Sequence, residues 1–127
     1  MTSAEWVAMG DAEFVSLTTY RRDGSPVATP MWVALHEGEL VFTTPAGSGK
    51  VKRLRRDPTV RMSPCSRRGT VAEHAPSVQG AATLDRPGPG VEAALRAKYG
   101  WQYTLVLTIE RLLARGRRER TIVRVAP

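Results

Sequence analysis

The chain has 127 residues, a length that suits one domain with a real core but not two, so a single domain over residues 1–127 is expected. Its 42% hydrophobic and 24% charged content are those of an ordinary globular protein, and no apolar run approaches membrane-spanning length. A net charge of +7 points to anionic partners, while one cysteine rules out an internal disulfide and the two distant histidines argue against a metal site.

In chain order, residues 3–11 read as a helix, with Ser3 as cap and Trp6, Val7 and Met9 on its apolar side. Residues 14–20 alternate Val15, Leu17 and Thr19 against Phe14, Ser16, Thr18 and Tyr20, the pattern of a strand. Asp23-Gly24 is a strong hairpin signal, and residues 26–35 form the returning strand. Pro30 within it implies an edge, a bulge or a ligand-facing break, because proline cannot donate to a ladder. His36 falls in the next turn, where a solvated polar residue is the simplest reading, and residues 40–44 are a third strand.

Residues 43–69 follow as a glycine-punctuated basic stretch. It holds Lys50, Lys52, Arg53, Arg55, Arg56, Arg61, Arg67 and Arg68 against a single acid, Asp57. Pro45, Ala46 and Gly47 break the strand, and Ser48 is a suitable N-cap for a helix reaching about residue 56. Val51 and Leu54 share the inward face of this helix, and the cations spread over the rest. Asp57-Pro58 ends it, and residues 59–63 resume an alternating pattern. Free N–H groups and the positive helix end at residues 48–50 make an anion site, and the plainer alternative is a solvated basic helix. Aromatic residues are not interleaved with the cations, so a base-stacking nucleic-acid surface is not expected.

Further on, residues 77–85 read as a strand in which Gly80 marks a bulge or a close backbone approach. Residues 91–99 form a short helix ended by Gly100. Residues 101–115 carry both a strand-like alternation (Leu105, Leu107, Ile109) and a helical spacing (Ile109, Leu112, Leu113), with helix the preferred reading. Residues 119–125 close the chain as a strand. Six strands, with one helix after the third and another before the last, predict an α+β, predominantly β fold: a six-stranded split β-barrel with flanking helices.

The run Ser16-Leu-Thr-Thr-Tyr-Arg-Arg-Asp-Gly-Ser-Pro-Val-Ala-Thr-Pro-Met-Trp32, the run from Thr44 to Val60 and the segment Pro64-Cys-Ser-Arg-Arg-Gly69 resemble the split β-barrel (FMN-binding, PNPOx-like) proteins related to pyridoxamine 5′-phosphate oxidase. Within them the chain is most similar to the flavin/deazaflavin oxidoreductase B group, PPOX-class enzymes that use coenzyme F420. The resemblance implies a homodimer whose cofactors lie in grooves shared between protomers. It implies that Thr44, Gly47, Ser48, Lys50, Lys52 and Arg53 hold the phosphodiester and oligoglutamate end of the cofactor. Thr29, Pro30, Met31 and Trp32 would flank the tricyclic ring, and Ser63, Pro64, Arg68 and Gly69 would close the groove. Plain core packing is the alternative for Met31 and Trp32, and a surface position for Arg67 and Arg68.

The implied reaction is hydride transfer between reduced deazaflavin and a small unsaturated acceptor in a cytoplasmic enzyme, with no membrane partner. No catalytic side chain is identified: Tyr20, His74 and a bound water are all open as proton donors, and Cys65 reads as a small buried residue. Two other readings stand beside it. One is an FMN-dependent oxidase or reductase on the same barrel, with FMN as the alternative cofactor; the other is a non-catalytic flavin-, haem- or anion-binding protein.

Overall fold

The computed structural model describes residues 4–113 and 120–127. The predicted cap Ser3, the helix end at Arg115 and the strand start at Glu119 lie outside the described residues.

Strand β1 (Phe14–Tyr20) pairs with β2 (Pro26–Met31) across the Asp23-Gly24 turn, where Asp23 accepts from both the backbone N–H and the hydroxyl of Ser25. β3 (Ala34–His36) and β4 (Glu39–Pro45) form a second hairpin. Helix α2 (Gly49–Arg56), preceded in the chain by α1 (Ala4–Asp11), leads into β5 (Thr59–Cys65) and β6 (Val78–Asp85). Helices α3 (Pro89–Tyr99) and α4 (Trp101–Leu113) come before the last strand, β7 (Arg120–Ala126). The helical reading of residues 101–115 is therefore the one realised over Trp101–Leu113.

All pairings are antiparallel, in one sheet of order β2-β1-β5-β6-β7-β4-β3. Six strands were expected and seven are found among the described residues, because the segment read as one strand over residues 26–35 breaks at Trp32-Val33. The sheet is not closed by hydrogen bonds, since β2 and β3 are its two edges. Yet only Trp32 and Val33 separate those edge strands, so the ends of the sheet must curl towards each other there. Pro30 sits on the edge strand β2, one of the three places its chemistry allows.

The curl leaves two apolar compartments. Inside it, Val15, Leu17, Phe42, Val60, Met62, Val123 and Val125 form the main core, joined by Trp6 and Met9 of α1 and Leu54 of α2. Gly80 lies under this wall: a Cβ there would stand 2.6 Å from the Ala126 carbonyl oxygen and 3.2 Å from Trp6, the close approach expected at that position. On the outer face, Ala34 and Val41 pack against Leu95, Tyr99 and Tyr103 of the α3–α4 pair.

The break at Trp32-Val33 is stabilised from α3. Val33 is fully buried, so its backbone groups need partners. The Tyr99 hydroxyl accepts from the Val33 N–H at 2.9 Å and donates to the Glu13 carbonyl at 2.7 Å, with the Val33 carbonyl as second acceptor at 3.0 Å. The Lys98 ammonium donates to the carbonyls of Gly10, Ala12 and Val33, each at 2.6 Å. Two of these lie at the end of α1, where a cation suits the helix C-terminus. Side chains of α3 thus replace the ladder that a continuous strand would have made.

Candidate functional site

The start of α2 has the predicted geometry. The Ser48 hydroxyl accepts from the Val51 N–H at 3.4 Å and from the Thr44 hydroxyl at 3.3 Å, tying the cap to the end of β4. Because the first N–H groups of a helix have no acceptor within it, those of Gly49 and Lys50 remain for an incoming anion. Lys50 is half-buried, and no carboxylate lies within ion-pair distance of it among the described residues. Burial first, and the Arg53 guanidinium second, hold the Lys50 ammonium below its usual pKa. Such a cation is under-compensated, and an anion beside it would relieve both effects.

The cations of α2 do not all behave alike. Arg53 folds back so that its Nη1 stands 2.8 Å from where a Gly49 side chain would begin, and its Nε donates to the buried Thr19 hydroxyl at 2.7 Å. Arg56 donates to the Tyr20 carbonyl at 2.6 Å. These two fasten α2 to β1. Lys52 is exposed, and its side chain makes no hydrogen bond or ion pair among the described residues. Gly47 is exposed in the turn before the cap.

The other predicted residues are separated by the two-residue period of a strand. Pro30, Ser16 and Ser63 form one row across β2, β1 and β5, on the outer face that also carries Phe14 and Cys65. Thr29 lies level with Leu17 and Met62, and Met31 with Val15 and Pro64, on the opposite, inner face. Pro30 and Thr29 therefore project to opposite faces of β2. The Thr29 hydroxyl is buried without a hydrogen-bond partner. Gly69 adopts a φ of 91°, which favours glycine, and the Cβ it lacks would stand 3.5 Å from the Pro30 ring, so the loop after β5 lies against β2. Arg68 is exposed in that loop, and its side chain has no partner among the described residues.

Where the sheet curls round, Pro30, Met31 and Trp32 meet Thr43 of β4 in a cavity of about 220 Å³, completed by Phe14, Tyr103, Val106 and Arg120. Trp32 stacks on Tyr99 at 4.7 Å and leans on Tyr103 at 6.3 Å. Arg120 donates to the Thr43 hydroxyl at 2.9 Å. Thr43 and Thr44 project to opposite faces of β4, so Thr43 lines the cavity while Thr44 holds the start of α2. Sequence reasoning missed Phe14, Thr43, Tyr103, Val106 and Arg120. Of these only Phe14 and Thr43 had a signal, as strand residues facing away from the core. Burial raises the Tyr103 pKa, so its hydroxyl keeps its proton at neutral pH. Burial likewise raises that of the Cys65 thiol, which argues against a thiolate nucleophile. Tyr20 and His74 do not line this cavity. No group of three or more metal-ligating side chains occurs among the described residues, and no described helix is long and apolar enough to cross a membrane.

The profile of the pyridoxamine 5′-phosphate oxidase family matches residues 4–127. The chain belongs to that family. Among solved structures it is similar to an F420 reductase (21% identity, TM-score 0.61), over 94% of this chain and 90% of that one. It is similar to a conserved hypothetical protein from Mycobacterium tuberculosis (26% identity, TM-score 0.67), over 99% and 81%. A third likeness is to HutZ, the haem storage protein from Vibrio cholerae (10% identity, TM-score 0.66), over 100% and 91%. These likenesses support the fold. No curated protein matches the chain.

Proposed function

We propose that the protein is a homodimeric, cytoplasmic oxidoreductase that uses coenzyme F420 to transfer hydride to or from a small unsaturated organic molecule. The observation that carries this reading is Lys50, a half-buried cation without a carboxylate among the described residues, at a capped helix start, in a chain that also holds an aromatic-walled cavity. A deazaflavin joins a flat ring to a phosphodiester and an acidic tail, and these surroundings suit both ends. FMN has the ring and one phosphate but no acidic tail, so the surplus cations Lys52 and Arg55 favour the longer polyanion.

When bound, the cofactor supplies the hydride chemistry. The residues of the chain do the rest. Lys50 and the first N–H groups of α2 bind the phosphate, while Lys52 and Arg55 attract the tail. Pro30, Met31 and Trp32 orient the ring, with Trp32 held by its stack on Tyr99. The apolar walls from Phe14, Trp32 and Val106 exclude water, and the Tyr103 hydroxyl holds a proton at the cavity wall. The open edge of β2 supports a second protomer completing the groove.

Binding titrations with oxidised deazaflavin and with FMN, each at low and high salt, test the reading. Deazaflavin should bind more tightly and weaken more as salt rises, since exposed cations are screened. Equal, salt-insensitive affinity for the two would overturn the choice of cofactor, and failure of both to bind would overturn the oxidoreductase reading. Sedimentation showing only monomer at micromolar concentration would count against the dimer.

A further inference from the structure

A second cleft, of about 370 Å³, opens beside the first and shares Phe14, Trp32 and Val106 with it. Its remaining walls are Trp101, Leu105, Gln102 and Arg67. Its volume lies in the range of small-molecule sites, and the wall it shares makes it continuous with the proposed ring site. The lining is unusual for solvent-facing structure. Trp101 is 72% exposed and Leu105 47% exposed, on consecutive turns of α4, and both belong to the cleft. Arg67 stands over the Phe14 ring at 5.9 Å, which holds the guanidinium at the rim while its N–H donors stay available. No carboxylate pairs with it among the described residues.

We propose that this cleft binds a flat, apolar molecule carrying one anionic group. The ring system lies between Trp32, Trp101 and Leu105, and the anion meets Arg67, with the Gln102 amide as a further hydrogen-bond donor. As a binding site, the cleft stands on its own residues. As the seat of the hydride acceptor, it rests on the oxidoreductase reading and gives the class of that acceptor. A second copy of the chain is the other occupant such a face could have. Charge opposes it: a two-fold contact through this cleft would bring two unpaired arginines into an apolar interface that offers no acid among its lining residues.

Two matched probes test the proposal without cofactor. 8-Anilinonaphthalene-1-sulfonate and N-phenyl-1-naphthylamine share one ring system and differ in the sulfonate, and both brighten in apolar surroundings. The parent protein should bind both, with the sulfonate form tighter. Arg67→Gln should weaken the sulfonate probe about two- to fivefold and leave the neutral one unchanged, as an exposed charge pair predicts. Trp101→Ala should weaken both about two- to tenfold, through lost aromatic contact. Both side chains are exposed, so each variant should melt like the parent. Failure of either probe to bind, or an equal loss of both in Arg67→Gln, overturns the proposal. So does a dimer that Trp101→Ala turns into a monomer, which would give the face to a second copy. If the probes behave as expected while the deazaflavin and FMN titrations fail, the cleft stands and the oxidoreductase reading falls.

Discussion

Helix α2 and helix α3 are both short, and each presents a lysine that burial pushes below its ordinary pKa, but they use it in opposite ways. On α3, Lys98 spends its ammonium on three protein carbonyls and knots α1, the β2–β3 link and α3 together. On α2, Lys50 has no such partner, and the neighbouring arginines Arg53 and Arg56 take over the anchoring. A lysine with its hydrogen bonds satisfied inside the chain is structural, whereas one partly buried and left unmatched stays open to an anion, as the proposed function requires. Composition cannot separate them, since the difference lies in which oxygen atoms the fold brings within reach.

The sharpest way to break this contrast is Lys98→Met, which keeps the apolar stem and removes the donor. It should destabilise the protein by at least about 1.5–3 kcal/mol, the worth of one charge-assisted hydrogen bond, because three carbonyls lose their partner together. Urea unfolding measures this, and a variant as stable as the parent would show that water replaces the ammonium at no cost.

The complementary change is Lys50→Ala. It should cost about ten- to a hundredfold in deazaflavin affinity, equivalent to roughly 1.5–3 kcal/mol. Since Lys50 makes no hydrogen bond or ion pair among the described residues, stability should change little. Arg56→Ala should do the reverse on a smaller scale, losing its bond to the Tyr20 carbonyl and about 1 kcal/mol of stability, the net worth of one hydrogen bond, with affinity nearly intact. Calorimetric titration with a thermal melt of each variant separates the two roles. If Lys50→Ala binds like the parent while Arg56→Ala does not, the helix start is not the phosphate site.

A further effect is in pH. Burial lowers the Lys98 pKa from 10.5 to about 8, against the opposing pull of Asp11 and Glu13. Between those values the unfolded chain holds a proton that the folded chain has lost, so the stability of the parent should rise with pH across that window relative to Lys98→Met. Unfolding curves of both proteins from pH 7 to 10 check the sign. A difference that stays flat or falls would mean that the carbonyls keep the ammonium charged.

Much of this was written in local sequence. Asp23-Gly24, the Ser48 cap, the Asp57-Pro58 stop and the alternation of residues 14–20 each act over a few residues, and each appears in the fold where expected. The start of α2 was legible for the same reason, because a cap and its cations are neighbours along the chain. The aromatic cavity was not, since Phe14, Thr43, Tyr103 and Arg120 are remote in sequence and meet only when the sheet curls and α4 crosses it. Nor was the split of residues 26–35, because the partners that satisfy Val33 come from Lys98 and Tyr99, more than sixty residues away.

The sequence by itself determined the local turns, caps and alternations, the surplus of positive charge and its concentration over residues 50–68. The tertiary structure alone decided which cations are consumed as fasteners and which stay free, and which faces residues 29–32 present. The physical reason is range: propensities and caps are settled within a turn or a hairpin, whereas the fate of a charge or a buried backbone group depends on every polar atom the folded chain places around it.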